Sequence, residues 1–368
     1  MLSLYLLIPP SNETNAPLFY DVRNTTLTLY DATSEDFPLH LDSPPNRLSD
    51  LEPNALCALA NLNPNLTTLR LDYCGRVNDT VIASWNSSLP NLTNIELLGP
   101  FLVRAPAWQS FFKAHPSLNS FRITQNPRFD VDCLHALAAN SPKLAELGLR
   151  EIGKMCDDFL EALELSDLPL TFLDLAYPGN SELVGEVAIM RMVEKLGPAL
   201  KHLDLSGVKS VSDYVFSHSL KHYAPNLDSL VMADLEELTD EEIGRFFSEW
   251  EENPGLTSVD LSRNHELSSL ALDGILRHSG PQLKSLNING WKATPNESLN
   301  AVAELATGLS KLDVGWCREV DNFVLAKIQD ECEGLKDVSC WGCNKVTYAA
   351  RRRVSATPII ASTCANCR

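Results

Sequence analysis

"LSKLDVGWCREVDNFVLAKIQDECEGLKDVSC" (309–340) contains one complete turn of the pattern that decides the fold. Leu309, Leu312 and Val314 stand at L-x-x-L-x-L spacing, and 26 residues later Leu335, Val338 and Cys340 repeat it. Apolar residues two apart share one face of a strand, because side chains alternate at period 2. The segment between, "VDNFVLAKIQDEC" (320–332), places apolar residues every three or four positions, which is the period of an amphipathic helix. A short strand and one helix cannot bury their own apolar faces. Such a unit is stable only when stacked on copies of itself.

The copies are present. The same spacing recurs in "LTTLRL" from Leu66, "LTNIEL" from Leu92, "LNSFRI" from Leu118, "LAELGL" from Leu144 and "LTFLDL" from Leu170. It continues in "LKHLDL" from Leu200, "LDSLVM" from Leu227, "LTSVDL" from Leu256 and "LKSLNI" from Leu283. Steps between the eleven first positions are 26, 26, 26, 26, 30, 27, 29, 27, 26 and 26 residues. That period is the long, helix-containing end of the leucine-rich repeat. The expected fold is therefore α/β, a right-handed leucine-rich-repeat solenoid (horseshoe) with parallel strands on the concave face and helices on the convex face.

About eleven to twelve repeats are expected over 24–348, with an N-terminal arm or degenerate cap at 1–23 and a C-terminal tail at 349–368. "NTTLTLYDA" (24–32) reads as a further strand with Leu27 and Leu29 inward, and "SEDFPLHLDSPPNRLSD" (34–50) as an inserted loop. "VDCLHALAAN" (131–140) and "SDYVFSHSLKHY" (212–223) read as helical returns like 320–332. Thr239 with Glu242, and Thr294 with Glu297, have capping-box spacing, the second with Pro295 at the expected first helical position. Prolines such as Pro64, Pro90, Pro116 and Pro142 precede the strands, where they end a helix and enforce an extended approach.

Thirty Lys and Arg against 48 Asp and Glu leave a net charge of −18, so the chain as a whole is a poor partner for phosphate backbones or anionic lipid. Any nucleic-acid role must be local or belong to a partner. The densest basic cluster, Arg351 to Arg353, is a short nuclear-signal or nucleic-acid candidate. No apolar run reaches the ~18 residues of a membrane span, so no membrane partner is expected. The acidic run 236–253 reads as a solvated helical face.

Ten cysteines in 368 residues are too sparse for a disulfide scaffold and point to a reducing compartment. Cys340 and Cys343, with Cys364 and Cys367, have the spacing of a four-thiolate zinc site. The repeat offers another reading: Cys74, Cys317 and Cys343, like Asn126 and Asn264, fall on the N/C position that closes the template, and Cys340 on an inward apolar position. Structural thiols are the expectation, with no metal and no cofactor. His218 and His222, four apart, read as solvated residues of a helix. No P-loop, dinucleotide-binding, zinc-protease or nucleophile-elbow motif occurs, so neither an enzyme nor a small-molecule substrate is expected.

Candidate binding residues are the polar strand positions of the concave face, where solenoids bind partners. Early repeats offer Arg70, Arg122 and Arg150, and later ones Asp174, Asp204, Asp260 and Asp313, with Trp341 in the last. The later half is acidic and suits a basic protein segment better than phosphate.

Residues 309–347, ending "WGCNKVT", together with "LCALANLNPNLTTLRLDYCGRVNDTVI" (56–82), resemble the radiation-sensitive-seven family of fungal nucleotide-excision-repair leucine-rich-repeat proteins. The resemblance implies a nuclear, non-enzymatic subunit of global-genome repair. Its implied partners are a Swi/Snf-type ATPase with a RING domain, and elongin C and cullin in a ubiquitin ligase where it would be the substrate receptor; damaged DNA is met through the complex. Family members carry a long region ahead of the repeats with a zinc finger and an adaptor-engaging segment, and residues 1–23 show neither pattern. An F-box-like leucine-rich-repeat receptor outside repair, or a secreted binder using the N-x-S/T sequons, are the competing readings.

Overall fold

The structure, a computed structural model, describes residues 26–29, 52–72 and 74–347. The N-terminal arm, the inserted loop, Arg351 to Arg353, and Cys364 and Cys367 lie outside them. The chain divides into two compact units, one up to Asn180 and one from Ser181, each built of alternating parallel strands and helices.

In the first unit the strands are β1 (Thr26–Leu29), β2 (Thr68–Leu71), β3 (Asn94–Leu98), β4 (Ser120–Thr124), β5 (Glu146–Arg150) and β6 (Phe172–Asp174). They pair in parallel, each with the next, in the register the leucines set. Leu69, Ile95, Phe121, Leu147 and Leu173 align in one row, with Leu27 paired to Leu69. Helices α1 (Pro53–Leu62), α2 (Asp79–Ser88), α3 (Ala105–Ala114), α4 (Val131–Asn140) and α5 (Asp157–Glu164) return between strands. Trp108, Phe111 and Phe112 of α3 meet Phe121 and Phe129 in a buried aromatic cluster, with Trp108 edge-on to Phe121 at 5.3 Å.

The second unit holds β7 (His202–Asp204), β8 (Ser229–Val231), β9 (Ser258–Asp260), β10 (Ser285–Asn287), β11 (Lys311–Asp313) and β12 (Asp337–Ser339). Leu203, Leu230, Val259, Leu286, Leu312 and Val338 form the matching row. Its helices are α6 (Glu186–Leu196), α7 (Asp213–Val215), α8 (Lys221–Tyr223), α9 (Asp240–Glu249), α10 (Ser269–Ser279), α11 (Asn296–Leu305) and α12 (Asn322–Glu331). A π turn, Phe216–Leu220, joins α7 to α8 and carries His218, which stacks on Tyr214 at 3.7 Å. Among the described residues no helix is long and apolar enough to cross a membrane.

Helix starts are tied across repeats. Asn78, Asp130 and Asp321 cap their own helices, whereas Asp240, at the start of α9, accepts from Ser268 and Ala271 backbone N–H groups at 2.8 and 2.9 Å and so caps α10. Thr239 caps α9 through Glu242 N–H, as its spacing predicts. Thr294 does not cap. Pro295, extended at φ −75° and ψ 159°, is itself the N-cap of α11, and the buried Thr294 Oγ1 has no hydrogen-bond partner among the described residues.

The template cysteines and asparagines do one job by two chemistries. Cys317 and Cys343 place their thiols 3.4 and 3.1 Å from the carbonyls of Ile288 and Val314 in the preceding repeat. Asn264 donates to Met232 O at 2.8 Å and Leu261 O at 2.9 Å. Burial pushes the Cys74 and Cys317 thiols up to about 12, so they remain protonated at neutral pH, unlike a metal-ligating or nucleophilic thiolate. Cys340 and Cys343 are both buried in the last repeat.

Two histidines give the fold a pH dependence. His115, 1% exposed, sits between Phe111 O and Leu89 O, and His278 lies stacked on Trp250 at 5.3 Å. Burial pulls both below the ordinary histidine value of 6.5. The unfolded chain therefore binds protons at a pH where the folded chain does not. Their contribution is full above about pH 6.5 and is lost as pH falls from there through the lower folded values. Thermal melts from pH 7.5 to 5.5 should show a falling Tm, and His278→Gln should flatten the slope in that window. An unchanged slope in the variant would remove His278 from the account.

Candidate functional site

The polar positions of the sheet face are bonded within the fold more than they are displayed. Arg70 lies 3.3 Å from Glu96, Arg122 2.7 Å from Glu146 and Arg150 3.4 Å from Asp174. Arg122 also lies over the Phe172 ring at 3.9 Å, and Arg150 over Tyr177 at 5.4 Å. Each pair joins neighbouring repeats of the first unit. The early face is thus electrostatically matched within itself.

The aspartates of the later strands close turns. Oδ1 of Asp174, Asp204, Asp260 and Asp313 accepts from the backbone N–H two residues on, at 3.0, 2.9, 2.9 and 2.8 Å. Asn287 takes the same role in its repeat, donates to Asp260 Oδ2 at 2.7 Å, and thereby links two rungs. The expectation that Asp204 is displayed for a partner is corrected. It is 3% exposed and also accepts from Ser206 Oγ at 2.6 Å. Two hydrogen bonds to a buried carboxylate make Asp204→Ala a stability change: about 1–3 kcal/mol is expected to be lost, read as a lower urea midpoint. A midpoint unchanged from wild type would return Asp204 to the face.

Beside the sheet, at the strand-to-helix turns, stands a feature the strand template does not show. Among the described residues, the seventh residue after a repeat's first leucine takes a left-handed conformation in both units. In the second unit these are Gly207, Asp234, Arg263, Gly290, Trp316 and Gly342, with φ between 58 and 87°. Gly207, Gly290 and Gly342 meet that turn without strain, whereas a side chain there costs roughly 1–2 kcal/mol. Arg263 (φ 64°) and Trp316 (φ 60°) occupy it nevertheless. Between them, above Gly290, opens a groove of about 730 Å³.

Arg263, His265, Lys292, Trp316, Arg318 and Asn344 line this groove. His265, Lys292 and Arg318 are each the ninth residue after the first leucine of three successive repeats, so they form a row stepping ~5 Å per strand. Arg263 is 3.4 Å from Asp234, while Lys292 and Arg318 have no salt bridge among the described residues. Neighbouring Glu319 is held by Lys345 at 2.5 Å. Trp316 is 47% exposed, and Trp341 stands against it at 4.7 Å and 70° with half its own surface exposed. A Cβ on Gly342 would fall 2.5 Å from the Trp316 ring, so only glycine lets the indole lie where it does. Of the sequence candidates the groove region includes Trp341 alone. Lys292 and Arg318 would have emerged from reading one residue past the closing N/C position, and Arg263 and Trp316 from reading the unspecified position just before it.

No protein-family model matches the chain. It is 29% identical over 343 residues to the DNA repair protein rhp7 of Schizosaccharomyces pombe, covering 93% of this chain and 58% of that protein. It is 29% identical over 307 residues to the DNA repair protein RAD7 of Saccharomyces cerevisiae, covering 82% of this chain and 54% of that one. The chain thus spans a little over half the length of these curated relatives. A crystal structure of a Rad7 and Elc1 complex in yeast matches with a TM-score of 0.71 at 27% identity, over 82% of this chain and 76% of that one. A leucine-rich-repeat chain by its periodicity and its structure, this protein is homologous to the Rad7 and rhp7 DNA repair proteins over most of its length.

Proposed function

We propose that the chain is a non-enzymatic interaction scaffold of nuclear DNA repair, the substrate-receptor side of a ubiquitin ligase with elongin C and a cullin, working beside a Swi/Snf-type ATPase in global-genome nucleotide excision repair. The observation that carries the reading is the structural match to Rad7 in complex with Elc1, an elongin C, across most of the repeats. The residues agree with it. The face positions are bonded within the fold, burial keeps the Cys74 and Cys317 thiols protonated, and the stacked strands offer a surface whose use is to hold other proteins.

A pulldown with the tagged 368-residue chain from fungal nuclear extract, read by mass spectrometry, tests this. Recovery of elongin C together with a Swi/Snf ATPase is the expected result. A different cullin adaptor without the ATPase would favour a receptor outside repair. Recovery of neither set would overturn the proposal.

A further inference from the structure

We infer that the groove between Arg263 and Trp316 binds a short segment of single-stranded nucleic acid, one base stacking on Trp316 and the backbone phosphates lying along Lys292 and Arg318. The inference does not depend on which proteins the chain assembles with.

Three observations converge on this ligand. The first is the aromatic one. An indole is set in a left-handed backbone conformation that glycine fills freely in the repeats on either side, and it stays half-exposed instead of entering the core. Side chains take this left-handed turn in several repeats, Gln125, Glu151, Tyr177, Asp234 and Arg263 included, and what distinguishes Trp316 is a large apolar ring left exposed there. A flat, accessible ring is the surface on which a nucleobase stacks. The second is charge. In a chain of net charge −18, Lys292 and Arg318 are adjacent in register and carry no carboxylate partner among the described residues. Both are exposed to solvent, so a phosphate can reach them without displacing a carboxylate. The third is shape. Gly290 and Gly342 keep the groove floor free of side chains on both sides of Trp316, and Asn344 at its border offers an amide that can meet a base edge.

The surrounding acid limits what fits. Screening confines the rest of the chain to roughly 8 Å at physiological salt, so a few phosphates can be held locally while a long duplex is repelled by the acidic remainder. The paired bases of a duplex also keep their faces inside the stack, away from Trp316. An acidic peptide would satisfy the cations but leaves the exposed indole without a flat partner. The ring decides between them.

The test is fluorescence anisotropy of a labelled oligothymidylate titrated with the full chain, alongside a duplex of equal length and a poly-glutamate peptide as competitor. Single strand should bind more tightly than duplex and quench tryptophan emission. Trp316→Ala should weaken binding roughly five- to a hundredfold. Lys292→Ala with Arg318→Ala should flatten the dependence of log affinity on log salt by about 1.4, two phosphates' worth for a single strand. Both variant sites are exposed, and circular dichroism melts superimposable on wild type confirm that folding is intact. Equal affinity for duplex and single strand, displacement by poly-glutamate at matching charge concentration, or binding indifferent to Trp316→Ala would each overturn the inference.

Discussion

Leu203→Asp is expected to abolish the cooperative unfolding of the second unit, or to lower its Tm by at least about 10 °C. Leu203 is fully buried and pairs in register with Leu230 in the next strand. The substitution removes the apolar contacts of a core leucine, which costs roughly 2–5 kcal/mol, and then leaves a carboxyl in a site with no donor for it, which costs several kcal/mol more. Against a typical total of about 5–15 kcal/mol that is most of the stability. In stacked repeats the damage spreads, because each unit depends on its neighbours' interfaces. The neighbouring change Asp204→Ala, one position along the same strand, removes two hydrogen bonds and should be several-fold milder. Circular dichroism melts of the two variants side by side decide the matter. Equal losses would mean that the inward and outward positions are misassigned.

The inward row was readable in the sequence because eleven copies enforce it, and period-2 alternation converts each copy directly into a buried position. The closing Cys and Asn were readable for the same reason: Cys317 and Asn264 reach a carbonyl of the preceding repeat from the same slot. Outward positions are different. A template that says only "not buried" cannot tell a displayed Asp from one that accepts its own strand's turn N–H, so Asp204, Asp260 and Asp313 read as an acidic surface when they are bonded rungs. Arg70, Arg122 and Arg150 likewise read as available charge, because their partners come from the next repeat or strand end about 24 to 26 residues away. Their match appears only once the strands are laid side by side. The groove was least legible. Its cations and indole stand at turn positions where the repeat imposes no apolar rule, and they become one site only because parallel stacking brings the turn of one repeat beside the turn of the next.

Gly274→Val is expected to be the second large effect, and Gly274→Ala has an informative sign. Helix propensity alone says that alanine in mid-helix should stabilise by about 1 kcal/mol relative to glycine. In this place the helices forbid it. A Cβ on Gly274 of α10 would lie 2.6 Å from Gly244 O and 3.0 Å from Gly244 Cα of α9, and a Cβ on Gly244 would lie 2.6 Å from Leu270 O. Both glycines are buried, and the obstructing atoms are backbone, which cannot swing aside as a side-chain tip would. The helices must separate, and the cap that Asp240 extends to Ser268 and Ala271 at the head of α10 must stretch with them. Overpacking of this kind costs roughly 1–3 kcal/mol for one methyl group and more for the branched valine, enough to reverse the propensity gain. Since Gly244 and Gly274 face each other across one contact, once the helices have been forced apart by the first methyl the second finds part of its space already made. The double alanine variant should therefore lose less than the sum of the two single variants. Urea denaturation of the four proteins measures this. A Gly274→Ala variant more stable than wild type would show that α9 and α10 do not approach as closely as the glycines imply.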